Sequence, residues 1–476
     1  MFAHVPYFTL EATMSLLIVI GALALLMIAA YRGFSVILFA PIAAMLAVLL
    51  TDPGAVPTVF SGLFMDKMVG FIKNYFPVFL LGAIFGKLIE LSGFSQSIVA
   101  AVIKLAGRER AMLAIVLVAA ILTYGGVSLF VVVFAVYPFA AEMFRLGNIP
   151  KRLIPGTIAL GAFTFTMDSL PGTPQIQNII PTTFFKTDAW AAPVLGSIGG
   201  LFIFVTGIAY LEWRRRSALA AGEGYGEGHI LEPVAAEAGT LVHPALAILP
   251  LIVVGVANKV LAGIIAANYG TATEAVLIPG GKPIAADVSA LKAIWSVEGA
   301  LILGILTVLL FAWNRVFRQF AEGIKAAIGG ALLASVNTAS EYGFGAVIAA
   351  LPGFVAVSDA LKNIPDPLAN TAITVTTLAG ITGSASGGLG IALAAMSDKF
   401  IAAANAAHIP LEVMHRVSAM ASGGMDTLPH NGAVITLLAV TGLTHRQSYK
   451  DIFVITCIKT AAVFVVIAVY YLTGLV

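Results

Sequence analysis

The sequence predicts an all-α polytopic membrane protein made of two inverted repeats, each with five transmembrane helices (one of them broken) and one re-entrant hairpin. Three observations carry that prediction. Of 476 residues, 59% are hydrophobic and only 11% charged, and mean hydropathy is +0.99, far from soluble domains. Many stretches reach the ~20 apolar residues that cross a bilayer core. One phrase also occurs twice within apolar runs, as Met167-Asp168-Ser169-Leu170-Pro171-Gly172-Thr173-Pro174 and as Met425-Asp426-Thr427-Leu428-Pro429-His430-Asn431.

Taken in order, the expected spans are Ala12–Ala30, Phe34–Leu50, Tyr75–Leu91, a broken Leu153–Phe184 and Ala189–Leu211. After a hydrophilic linker come Pro244–Ala262, Ile294–Trp313, Lys325–Ala350, a broken Val417–Thr444 and Ile452–Tyr471. The segment Met1 to Glu11 lacks the basic region of a cleavable signal peptide, so the first run reads as a retained span. The two breaks follow from proline, which deletes an amide donor and clashes with the preceding turn. In lipid such a break is tolerated where the freed backbone is buried in protein or lines a polar cavity. Asp168 is the only charged residue between Leu153 and Phe184, and an intramembrane carboxylate is a functional-site hypothesis by default.

Two apolar stretches do not fit as single spans. Ala111–Ala140 is cut by Tyr124-Gly125-Gly126-Val127-Ser128 into arms of about 13 residues, roughly 20 Å each, too short to cross. Asn370–Ala403 is cut likewise by Thr382-Gly383-Ser384-Ala385-Ser386-Gly387-Gly388. Both read as re-entrant hairpins, the alternative being one long helix with glycines placed for packing. Charge supports the hairpins. Were the first stretch a span, the basic groups at 108–110 and 145–152 would fall on opposite sides; as a hairpin, both are cytoplasmic by the positive-inside rule. The linker is then cytoplasmic, both termini are external, and the second hairpin enters from outside, with Lys362, Lys399 and Arg416 as external exceptions.

The halves repeat. Gly126, Pro150 and Asp168 correspond to Gly388, Pro410 and Asp426 at offsets of 262, 260 and 258 residues, and Glu90 matches Glu341. Five spans and a hairpin per half invert the second half. The expected division is residues 1–213 (hairpin 111–140, broken helix 153–184), a linker at 214–242, and 243–476 (hairpin 370–403, broken helix 417–444). Inverted repeats that meet through broken helices are transporter architecture.

The chemistry expected at that meeting point is binding, not catalysis. Asp168 and Asp426 are the proton-coupling candidates, the alternative being that each only caps its break; His430 titrates closest to physiological pH. Thr173, Gln175, Asn178, Thr427 and Asn431 supply uncharged donors. Gly125, Gly126 and Ser128 at one tip, with Ser384, Ser386 and Gly387 at the other, supply hydroxyls and bare N–H groups that suit a carboxylate. No intramembrane Arg or Lys is expected, which argues against a multiply charged substrate. Lys87 reads as an i, i+3 partner of Glu90. The single Cys457 leaves no disulfide or cysteine metal cluster, no metal site or cofactor is expected, and the net charge of +2 carries no sign of a nucleic-acid partner. HExxH, Walker A and nucleophile-elbow motifs are missing. The remote alternatives are a channel and an intramembrane hydrolase using Ser386 and His430.

Gly125-Gly126-Val127-Ser128-Leu129-Phe130, Asn148-Ile149-Pro150 and the two breaks resemble the gluconate permease family of proton symporters, part of a larger ion-transporter superfamily. The resemblance covers nearly the whole chain. It implies an inner-membrane homodimer with scaffold and transport domains moving in an elevator-like way. The cargo it implies is a small carboxylate such as gluconate, another sugar acid or 3-hydroxybutyrate, carried with protons. Sodium coupling is the alternative, since glycine–hydroxyl loops with free carbonyls also hold Na⁺.

Overall fold

The structure is a computed structural model that describes residues 10–32, 34–106, 110–127, 129–229, 232, 241–354, 364–429 and 431–476. With no water in a bilayer core to satisfy the backbone, apolar runs must bond internally as helices, and they do. α1 (Leu10–Tyr31) and α2 (Val36–Thr51) lead through short helical turns at 53–64, the last of them a π-helical turn, into α3 (Met65–Leu91). α4 (Phe94–Ala106) is not among the expected spans, because Ser95, Gln96, Ser97 and Lys104 give it a polar side. The first hairpin is α5 (Ala111–Tyr124) and α6 (Leu129–Leu146). The first broken helix is α7 (Ile154–Ala162), the single turn α8 (Phe165–Asp168) and α9 (Ile176–Phe185).

α10 (Pro193–Ala220) carries Arg214 to Arg216 on its last turns. α11 (Pro244–Tyr269) is followed by β1 (Ala272–Ala275) and β2 (Ile284–Asp287), a small antiparallel ribbon in which Ala272 faces Asp287. α12 (Val288–Val316) and α13 (Phe320–Ala350) follow. The second hairpin is α14 (Pro367–Thr382) and α15 (Ala385–Ala406). The second broken helix is α16 (Leu411–Ser422) and α17 (Gly432–Thr441), and the described chain ends with α18 (His445–Thr473). Both hairpins extend beyond the expected boundaries.

Among the described residues, six helical segments are long and apolar enough to cross a membrane: Pro53–Leu91, Pro193–Ala220, Pro244–Tyr269, Val288–Ala350 (which holds α12 and α13), Ala385–Ala406 and His445–Thr473. The protein is a polytopic all-α membrane protein. Packing partners are exchanged between the halves. The first arm of each hairpin packs on the first part of the broken helix in its own half, α5 on α7 and α14 on α16. The last part of each broken helix packs on the second arm of the other hairpin, α9 on α15 and α17 on α6.

α18 shows which ends share a face. Near its start, buried Asp451 accepts hydrogen bonds from Arg214 Nε at 2.7 Å and Tyr210 OH at 2.7 Å. Beside it Arg152 grips Glu223 with two bonds of 2.6 Å, and Lys151 pairs with Glu232 at 2.9 Å. At the far end of α18, Tyr471 OH donates to Asp366, the N-cap of α14. A helix of 29 residues is about 43 Å long, so the linker and the entrance to the second hairpin lie at opposite ends of α18. In a Cys457→Ser background, Glu227→Cys and Pro365→Cys, both at exposed positions, are therefore expected to react with an impermeant thiol reagent from opposite sides of a sealed vesicle. Reaction from one common side would overturn the threading.

Candidate functional site

The breaks raise a direct question: where do the freed carbonyls find donors? At the first break the answer is a set of long side chains. Tyr124 OH donates to Pro171 O at 2.7 Å, and Asn178 Nδ2 donates to Thr173 O at 2.9 Å and Ala189 O at 2.8 Å. Arg416 Nη1 donates to Asp168 O at 2.8 Å and its Nη2 to Ala191 O at 2.7 Å. Lys459 Nζ reaches Phe163 O at 3.1 Å. At the second break, Tyr449 OH donates to Thr427 O at 3.1 Å, Thr376 Oγ1 to Ala421 O at 3.1 Å, and His445 Nε2 lies 2.9 Å from Pro429 O. The breaks are thus satisfied by protein, as a non-helical segment at membrane depth must be.

Each hairpin tip is pinned to the break of its own half by the residue that starts the last helical part. Gln175, at the N-cap of α9, donates from Nε2 to Thr123 O at 2.7 Å. Asn431, at the N-cap of α17, donates from Nδ2 to Gly383 O at 2.8 Å and accepts from Val434 N at 2.8 Å. The first tip turns through Gly126, whose φ of +96° favours glycine; a Cβ there would press on Pro174.

The two breaks meet over four buried charges. Asp168 is 2% exposed and accepts from the Ser169 hydroxyl at 2.7 Å. Its other oxygen lies against Gly423 at the end of α16, where a Cβ would collide with it. Asp426 is 5% exposed and ion-paired to Lys459 of α18. Lys459 and Arg416 are 2% and 0% exposed. The expectation of no intramembrane Arg or Lys is therefore corrected. Arg416, expected outside, is drawn in because α16 begins five residues earlier and turns it onto the first break. Lys459 sits in the middle of α18 and is the only charged residue between Ile452 and Thr473. Its charge was the available signal.

The remaining candidates are placed as follows. Asn178 is fully buried with its amide spent: beyond the two carbonyls, its Oδ1 accepts from Arg416 Nη1 at 2.9 Å and lies 3.3 Å from His415 Nε2. Thr173 is buried beside Gln175, and Thr427 Oγ1 lies 2.5 Å from Thr456 Oγ1. Ser384 caps α15 by accepting from Gly387 N at 3.1 Å, and Ser386 Oγ lies 3.3 Å from Thr338 Oγ1 of α13. Gly125 packs against Leu251 of α11. Ser128 and His430 lie outside the described residues. Lys87 and Glu90 are paired at 2.8 Å, as their spacing predicts.

One sequence relative decides the family. The chain is 61% identical over 472 residues to the uncharacterized transporter YxjC of Bacillus subtilis (strain 168), covering 97% of this chain and all of that one. This chain belongs to the family of YxjC. Membership places it among multi-pass membrane transporters, and no protein-family model matches the sequence. Among solved structures, the YdaH transporter of Alcanivorax borkumensis aligns with TM-score 0.48 and 14% identity over 90% of each chain. MtrF of Neisseria gonorrhoeae aligns with TM-score 0.46 and 12% identity, over 88% of this chain and 85% of that one.

Asn178 supplies a test within this family site. Asn178→Ala removes the donor to Thr173 O, takes one of two donors from Ala189 O, and leaves Arg416 and His415 each one bond short. An orphaned buried group costs about 1–3 kcal/mol, so the variant is expected to melt several degrees lower in detergent than the wild type. A wild-type melting temperature would show that these bonds do not hold the break.

Proposed function

We propose that this protein is a secondary active transporter that carries a small hydroxy-monocarboxylate together with protons. The observation that supports this reading best is the cluster Asp168, Asp426, Lys459 and Arg416 where the two breaks meet. With both aspartates ionised, its two negative and two positive charges cancel. A proton on Asp168 leaves one positive charge over, which a monocarboxylate balances and a dicarboxylate would exceed. Anion and proton thus each improve the site for the other, which is the reciprocal coupling a symporter needs. Asp168 suits the proton better than Asp426 because its recorded partner is a neutral hydroxyl, whereas Asp426 would give up an ion pair.

In this reading the two tips close over the substrate. Ser384 and Ser386 are half-buried at theirs and offer hydroxyls, with Thr173, Thr427 and the first tip opposite; Gln175 and Asn431 set the distance of each tip from its break. The gathering of Arg145, Lys151, Arg152 and Arg214 to Arg216 about the linker supports a cytoplasmic linker by the positive-inside rule, with the termini external in a bacterial inner membrane. The likeness to gluconate permeases supports a homodimer with elevator-like movement. The test is uptake of a panel of hydroxy acids into proteoliposomes, with proton and sodium gradients imposed separately. Accumulation of a hydroxy-monocarboxylate driven by an inward proton gradient, and not by sodium, is expected. Accumulation driven by sodium alone would overturn the coupling, and no uptake of any hydroxy acid would overturn the substrate class.

A further inference from the structure

One buried carboxylate lies apart from the four-charge cluster. Glu341 of α13 is 4% exposed, and its Oε2 has no hydrogen-bond partner. It points at the first turn of α15, where a Cβ on Gly387 would overlap that oxygen. The two helices are close there, since Gly345 of α13 abuts Ile391 and Gly390 of α15 abuts Tyr342. The N–H of Gly387 is already taken by Ser384 Oγ; the Ser384 hydroxyl is the one donor that this helix start turns to the carboxylate, and Oε2 is left unmet.

No cation compensates it among the described residues. α2 contains no charged residue between Val36 and Thr51. On α3, Asp66, Lys67 and Lys73 are exposed, while Lys87 and Glu90 pair with each other. On α15, Asp398 and Lys399 lie three turns beyond Gly387, and the titratable neighbour on α13 is Tyr342. The contrast with the first half is informative: Glu90 has Lys87 three residues before it, whereas Glu341 has Thr338 there.

A carboxylate ion cut off from water, with no cation and with one oxygen lacking any donor, is strongly disfavoured. A proton removes the charge and supplies the missing donor. A metal ion would need several oxygen ligands and space around it, and this oxygen lies flush with the Gly387 backbone. We propose that Glu341 is a second proton-binding site, separate from the aspartates, whose proton lets the tip of the second hairpin seat against α13. Loss of that proton to solvent leaves an ion that must be met by water, so the tip draws back. This inference does not depend on which substrate is carried or on Asp168.

The test uses Ile381→Cys, half-buried just before the tip, in a Cys457→Ser background, reconstituted without substrate. Labelling by a small thiol reagent is followed from acid to alkaline pH. Thiolate content itself rises with pH, so each rate is compared with that of the same protein carrying Glu341→Gln, which mimics the protonated acid. The Glu341 protein is expected to label about tenfold faster than the Gln variant at alkaline pH, the scale of ordinary coupling between sites, and equally at acid pH. Equal rates throughout would overturn the proposal, and slowing of the alkaline rate by added sodium would overturn the proton assignment. Glu341→Asp gives a second reading should the Gln variant not fold. It keeps the acid but withdraws it by one methylene, and is expected to shift the labelling profile along the pH axis. An unshifted profile would overturn the proposal.

Discussion

Lys459→Met is expected to yield little folded protein and no measurable uptake. Methionine matches the apolar stem of lysine and suits α18 in every respect but two: it leaves Asp426 buried without its cation and Phe163 O without a donor. Removing one partner of a buried ion pair costs about 3–5 kcal/mol, a large part of the 5–15 kcal/mol that typically separates folded from unfolded protein. The diagnostic step is to remove the other partner as well. Asp426→Asn with Lys459→Met takes away both charges, and replacing a buried pair by neutral groups is often close to neutral for stability. The double variant should therefore recover monodisperse protein and most of the melting temperature, and because one charge of each sign is gone the cluster still balances, so pH-driven uptake should return in part. A single Lys459→Met variant that melts and transports like the wild type would remove the pair from both roles.

The sequence announced the breaks better than it announced what closes them. Pro171 and Pro174 cannot continue a helix, and the helical turn before them does end at Asp168, with the next helix starting at Ile176. Glycines marked both tips as well, Gly126 and Gly383 turning them with φ of +96° and +63°, while Gly387 and Gly388 lie within α15 and allow close packing. Partners were another matter. Asn178 and Gln175 were legible as hydrogen-bonding residues, but residue type gives capacity and not target; both turn out to serve backbone carbonyls exposed by the break and the tip. Arg416 reads in sequence as part of a polar entrance to an apolar run, Leu411-Glu412-Val413-Met414-His415-Arg416. Only the docking of α16 on α9 and α10 puts it beneath the first break. Length was ambiguous too. Ala385–Ala406 is by itself long and apolar enough to span, and the tie from Asn431 to Gly383 fixes its start beside the second break. Glu341 was legible as a repeat of Glu90, but its missing cation shows only in three dimensions.

Those partners also separate two aspartates that the repeated phrase presents as equivalents. Asp168→Asn keeps the size and polarity of the neutral acid, and its amide oxygen can still accept from the Ser169 hydroxyl, so the break should stand. What the variant cannot do is release a proton. Its cluster carries one positive charge at every pH, so anion binding should lose its pH dependence. Accumulation driven by a pH gradient should fall to the level set by simple equilibration. Exchange of internal for external substrate should persist, because it needs no proton turnover. If Asp168 merely capped the break, Asn would cap nearly as well, and both activities would survive. Asp426→Asn should behave differently: it strands Lys459 as an unpaired buried cation, and the loss should show first in folding, as for Lys459→Met. Uptake and counterflow measured side by side on the two variants tell these cases apart. Full pH-driven accumulation by Asp168→Asn would move the proton elsewhere in the protein, with Glu341 the next carboxylate to test.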